Sequence, residues 1–266
     1  MILATTVWWG GVCSAGAFAG YALIALASRR LGTKTLRVVL LASWLLHGVA
    51  LATGLLGEPP RFGFAPALSV TVWLVLAVYA VESRLFPQLQ AHWALAGLGS
   101  AAVALAVVFP GSSYLKVASI GLPLHWALGI ASYGLFAAAV VHGWLMQRSE
   151  RAMRLATQSD AGVPLLTLER LTFRFVEAGF VLLSATLLVG GLFAEQLYGS
   201  GLAWKWSHKT TFSVLAWLTF AGLLVGRARL GWRGLKAVRV LYLGTGLLLL
   251  GYAGSRFVLE VVLRRV

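Results

Sequence analysis

Eight apolar runs, parted by short segments that collect nearly all of the charge, set the pattern of this chain. They cover residues 2–27, 38–56, 66–81, 91–109, 122–146, 175–193, 210–226 and 238–263. A helix rising about 1.5 Å per residue needs roughly 20 apolar residues to cross some 30 Å of hydrocarbon. Backbone groups cannot stay unpaired in lipid, and no even set of alternating strands is present, so the runs predict helices and not a barrel. The expected fold is all-α: a polytopic integral membrane bundle of about eight helices, forming one transmembrane domain over residues 1–266. The third and seventh runs are short for a span and are expected to borrow flanking residues. The first run carries no charge, and its first basic neighbours, Arg29 and Arg30, follow it. A signal peptide wants its positive region in front, so this run reads as a retained helix.

Composition sharpens the picture. Of 266 residues 59% are apolar and 11% charged, with a formal net charge of +14. With the N-terminus outside, inner loops hold 15 of the 22 basic residues, among them Arg84, Arg148, Arg170, Arg227 and Arg239, and outer segments hold 7. The positive-inside rule then puts both termini outside. The charge reflects this topology and attraction to anionic lipid headgroups. Because the cations are spread over separate short loops, a nucleic-acid partner is excluded. Cys13 is the one cysteine and sits in the first run without CxxC or CxxCH, which excludes thiol redox chemistry and covalent heme attachment. No dinucleotide loop, P-loop or HExxH motif is present.

The longest polar stretch, 147–172, carries Arg148, Arg151 and Arg154 at helical spacing. The fifth helix is therefore expected to continue past the membrane as a basic-faced extension, with Pro164 breaking it before the sixth. Arg256, Glu260 and Arg264 fall at i, i+4 steps in the last helix, close enough to pair on one face.

Five histidines are the candidate ligands. His47 lies ten residues past Arg37, about 15 Å in, near mid-membrane. A titratable group there is costly, which favours a ligand or relay; the alternative is a neutral imidazole hydrogen-bonded across a helix interface. His125 and His208 share the outer face. His92 and His142 lie near the inner face, and His142 is about 25 Å along the helix from His125. Beside His208 runs Trp204-Lys205-Trp206-Ser207-His208-Lys209. Tryptophan gathers at membrane interfaces anyway, and Trp8, Trp9, Trp73 and Trp232 read as that belt. Aromatic faces, an imidazole and two lysines within six residues also suit heme, a flat, apolar, dianionic molecule whose iron a histidine can ligate.

Several segments, in order, resemble the cytochrome c assembly family of heme-handling membrane proteins. They are Trp44-Leu-Leu-His-Gly-Val-Ala-Leu51, Leu124-His125-Trp126-Ala127-Leu128-Gly129, the stretch at 165–180, Trp204 to Lys209, Trp217, and Gly231-Trp232-Arg233-Gly234. The likeness covers about residues 38–266. It implies heme handling in a bacterial inner membrane, with His125 as an outer axial ligand and His47 as the intramembrane histidine. Trp204 and Trp206 would contact the ring, and His208 would replace a missing second ligand. Other cytochrome c biogenesis proteins would be the partners. There are departures. Ser207 stands where the family carries aspartate, Val225 where a second intramembrane histidine is expected, and the last helix offers no histidine. The likeness is to the short HemX-like branch, without the large outer domain of complete synthetases, so no bond-making chemistry is expected. The alternatives are a heme-incompetent scaffold or regulator of the same fold, and a small-solute transporter, for which Glu177 is the one carboxylate near a span interior.

Overall fold

The computed structural model describes residues 2–28, 30–57, 59–85, 91–113, 121–155, 164–193 and 207–262. Eight helices account for nearly all of them. They are α1 (Ile2–Ala27), α2 (Thr33–Leu56), α3 (Phe64–Leu85), α4 (His92–Val108), α5 (Gly121–Arg154), α6 (Leu165–Leu192), α7 (His208–Leu230) and α8 (Gly234–Leu249). The last continues through a π-helical stretch, Leu250–Gly254, a single α turn, Ser255–Phe257, and a second π-helical stretch, Val258–Val262. Seven helical stretches are long and apolar enough to cross a membrane; α4, at 17 residues, is a shorter apolar helix. The protein is a polytopic helical membrane protein. The two short runs did borrow neighbours: α3 begins at Phe64, ahead of Pro66, and runs 22 residues, and α7 runs 23. Proline at the third helical position has no donor to lose, since the first turn lacks partners for its N–H groups.

The helices form two units, Met1–Leu115 with Leu259–Val266, and Lys116–Val258. In the first, α1 packs on α2 and α4, and α3 bridges α2 and α4. The loops after α2 and after α4 meet as a two-residue antiparallel pair, Arg61 opposite Ser113 and Phe62 opposite Ser112. Gly111 makes the approach possible: its φ is +79°, and a Cβ there would lie 2.6 Å from the Phe62 backbone. Trp44 and Trp73 clasp α2 to α3. Their rings stack 4.6 Å apart, and each indole N–H donates to the other residue's carbonyl at 3.0 Å. Trp73 is thus a helix–helix fastener and not a belt residue, whereas Trp8 and Trp9 are exposed.

In the second unit, α5 pairs with α6, α7 with α8, and α5 also meets α8. At its centre Phe136 of α5 stacks on Phe220 of α7, centroids 3.8 Å apart. Glycines close both ends of this stack. A Cβ on Gly179 of α6 would lie 3.1 Å from the Phe136 ring, and one on Gly244 of α8 would lie 2.8 Å from Phe220. The expected extension is present, since α5 is unbroken for 34 residues to Arg154 and Pro164 starts α6 as its N-cap. At about 1.5 Å per residue that is some 50 Å, well beyond a bilayer core. Leu145, Met146 and Ser149 of α5 and Leu168 and Thr172 of α6 stay buried, so this end of the hairpin is packed.

The far end of α7 closes in a left-handed cap. Gly231 has φ +64°, and the Trp232 N–H donates to the Gly226 carbonyl at 3.1 Å. The Trp232 ring covers Gly226, and the Lys236 ammonium sits 4.3 Å from the ring centre. Beside it Glu169 of α6 receives both Arg227, at 3.3 Å, and Arg233, at 3.1 Å. Glu177, the carboxylate singled out from sequence, is exposed and forms no ion pair among the described residues. The side chains of Arg256 and Glu260, and Arg264 entirely, lie outside the described residues, as does Arg29.

The glycine–phenylalanine stack yields a stability test. Gly244→Val should overpack the core and cost about 1–3 kcal/mol, whereas Gly222→Ala on α7, whose added methyl meets nothing within 4 Å, should not destabilise. Equal thermal midpoints in detergent for the Gly244→Val variant and the native protein would refute this packing account.

Candidate functional site

His47 lies on α2 and is 1% exposed. Its Nε2 is 2.8 Å from Ser69 Oγ of α3, and its Nδ1 is 3.5 Å from Tyr21 OH of α1. The Tyr21 and His47 rings meet edge to face at 5.8 Å. Tyr21 and Ser69 are as deeply buried as His47. Both ring nitrogens therefore have hydrogen-bond partners drawn from the two neighbouring helices. This is the geometry of a neutral imidazole tying helices together, and the polar groups satisfy one another where water is excluded.

His125 is held differently. It sits near the start of α5 and is half-buried. Its Nδ1 lies 3.1 Å from the Thr186 carbonyl oxygen of α6. A carbonyl has no proton to give, so Nδ1–H must be the donor, and in the neutral ring Nε2 carries the lone pair. The ring lies over Gly190, one turn further along α6: a Cβ there would be 3.1 Å from Cε1 and 3.3 Å from Nδ1. Histidines that bind metals almost always use one nitrogen this way and present the other.

His208 is the first residue of α7 and is exposed. Ser207 is the N-cap, its Oγ accepting from the Thr210 N–H at 3.4 Å. Serine and aspartate cap helices about equally well. The stagger between His125 and His208 follows from α6. Trp217 donates its indole N–H to Ser184 Oγ at 2.8 Å, nine residues after His208, while His125 is level with Thr186–Gly190. At 1.5 Å per residue His208 stands about 5–10 Å further toward the same end of the unit. Lys209 joins that end, its ammonium 5.8 Å from the Tyr252 ring centre. Trp204, Lys205 and Trp206 lie outside the described residues.

The other histidines are placed as controls. His142 is buried, its Nδ1–H donating to Ala138 O at 2.8 Å and its ring 5.2 Å from Phe175. His92 opens α4. Val225 is exposed on α7. Among the described residues no group of three or more His, Cys, Asp and Glu could hold a metal ion. Sequence reasoning missed Glu169, Thr186 and Gly190. A carbonyl acceptor leaves no mark in the sequence, but a glycine in a helix, about 1 kcal/mol worse than alanine, was a usable signal.

The family model described as cytochrome C assembly protein matches residues 18–263. The chain belongs to that family. Among similar proteins is the inner membrane protein YpjD of Escherichia coli K12, 27% identical over 200 residues, 73% of each chain. An uncharacterized 28.8 kDa protein of Azospirillum brasilense is 31% identical over 147 residues, and the alignment spans about half, 54%, of each. The cytochrome c biogenesis protein CcsA of Prochlorococcus marinus subsp. pastoris is 23% identical over 228 residues, 80% of this chain and 68% of that one. No solved structure matches.

The hydrogen-bonded histidine supplies a test. Ser69→Ala would strand one imidazole nitrogen in the interior and should cost about 1–3 kcal/mol, read as a lower thermal midpoint. If Ser69→Ala and His47→Phe both unfold at the native midpoint, His47 is not fastening these helices.

Proposed function

We propose that this protein handles heme in cytochrome c biogenesis in a bacterial inner membrane, holding it reversibly at the outer face without making or breaking a covalent bond. Membership of the cytochrome C assembly family supports the setting. The observation that carries the site is the His125 ring, whose Nδ1–H is engaged by the Thr186 carbonyl so that Nε2 is the nitrogen able to ligate iron. The chemistry heme supplies is an iron that takes axial nitrogen ligands and two carboxylates that seek cations.

On this reading His125 is the axial ligand, and His208, exposed at the same end, supplies the second nitrogen or a contact near it. Lys209 would meet a propionate, and Trp204 and Trp206 are the aromatic contacts proposed for the macrocycle. His47, with both nitrogens hydrogen-bonded, serves the helix interface. Binding and release then need no large rearrangement of the bundle, because the ligating nitrogen already faces away from its orienting carbonyl. Both termini lie outside, and anionic lipid surrounds the basic inner ends. Other biogenesis proteins take up or deliver the heme.

Protein purified in detergent after growth with ample heme should show a Soret band that His125→Ala abolishes or shifts, while His92→Ala and His142→Ala leave it unchanged. Identical spectra for native and His125→Ala protein would sink this reading in favour of a heme-incompetent scaffold. Loss in His47→Ala alone would move the ligand into the membrane interior. For the topology, a C-terminal alkaline phosphatase fusion should be active; activity only of a cytoplasmic reporter would reverse the orientation.

A further inference from the structure

The last two turns of α6 face His125. Gly190 lies two residues before the end of that helix at Leu192, and it makes no turn and no left-handed backbone that would call for glycine. What occupies the missing side chain's space is the imidazole. A Cβ at Gly190 would come within 3.1 Å of Cε1 and 3.3 Å of Nδ1, closer than side-chain carbons ordinarily pack. One turn away the Thr186 carbonyl accepts the Nδ1–H, and the Thr186 hydroxyl donates to Leu182 O at 2.7 Å. That threonine hydroxyl is spent on its own helix, so it does not compete for the ring. Across the same interface Gly129, one turn further along α5, leaves room for the Thr186 methyl: a Cβ there would meet Cγ2 at 3.6 Å, ordinary contact.

We infer that Gly190 is the positioning residue of the outer site: its bare backbone seats the His125 ring against α6, so that Nδ1 stays protonated on the Thr186 carbonyl and Nε2 alone is presented to a metal-bearing ligand. The proposal rests on the reading of His125 as ligand but makes a claim about the protein without heme. Two forces hold the ring. The hydrogen bond fixes its tautomer and in-plane angle, and contact with the flat glycine surface fixes its distance from α6. A methyl at Gly190 leaves the bond formally possible but pushes the ring outward by a few tenths of an ångström. The bond then lengthens from 3.1 Å, and its hold on the tautomer weakens. Partners that orient a ligating histidine typically contribute about 10- to 100-fold to metal affinity.

The test uses the full-length protein in nanodiscs, labelled with 15N histidine, with signals assigned by the His125→Ala variant. In native protein without heme, His125 should show one protonated nitrogen, Nδ1, and one unprotonated nitrogen, Nε2. Gly190→Ala should shift it toward a mixture of tautomers, and Gly190→Val further, while Gly222→Ala, in open space on α7, should leave it unchanged. Titrated with hemin, Gly190→Ala should bind about 10-fold or more weakly, with a lowered iron–histidine stretching frequency, and Gly222→Ala should bind as native. A native His125 protonated on Nε2, or a tautomer and hemin affinity untouched by both Gly190 substitutions, overturns the proposal. If the tautomer responds as expected but no variant or native protein binds hemin, the positioning role stands and the heme reading fails. If Gly190→Val does not fold, the tautomer of the smaller alanine variant decides.

Discussion

Everything in this protein follows from the absence of water around its spans: a polar group there must find its partner in another helix or in its own. The helix backbones satisfy themselves, so the decisive cases are side chains. Trp44 and Trp73 give their indole protons to each other's carbonyls, Ser132 gives its hydroxyl to Gly179 O, and Tyr133 gives its own to Leu248 O at 2.6 Å. Each of these bonds joins two helices. With lipid as apolar as leucine, apolar burial does little to choose one helix partner over another, and such bonds together with close glycine contacts specify which surfaces meet.

The same rule separates the two best histidines. His47 is one of these fasteners, both nitrogens being turned to neighbours. Among the described residues His125 is fastened on one side only. A single hydrogen bond to a carbonyl orients an imidazole without using up its basicity, and this asymmetry is what a ligand needs. The distinction is invisible to depth, which favoured His47 as a ligand or relay, and to composition.

Much of the fold was readable from sequence because it depends on run length. Eight apolar stretches became eight helices, and Arg148, Arg151 and Arg154 at helical spacing correctly announced the extension of α5. Boundaries moved where polar or proline residues fit inside a helix, as at Pro66 and Arg84. The site was readable only in part. His125 and His208 lie at one end of a unit. The orienting contacts of His125 come from Thr186 and Gly190, some sixty residues away and unremarkable as residue types. Glu169 was passed over for Glu177 because both fall on one apolar–basic stretch, and only helix packing reveals which carboxylate faces Arg227 and Arg233.

The two π-helical stretches after Leu249 change how the end of the last helix should be aligned with others. An α-helix turns about 100° per residue, and each wide turn absorbs one extra residue without adding a turn of pitch. Past Gly254 the side chains therefore point roughly 100° away from where an ordinary helical wheel would put them. A relative lacking these wide turns would present a different residue number to the same neighbour. Counting along the sequence for an equivalent of a side chain in this helix, such as a second iron ligand, leads to the wrong face; superposing backbones leads to the right one.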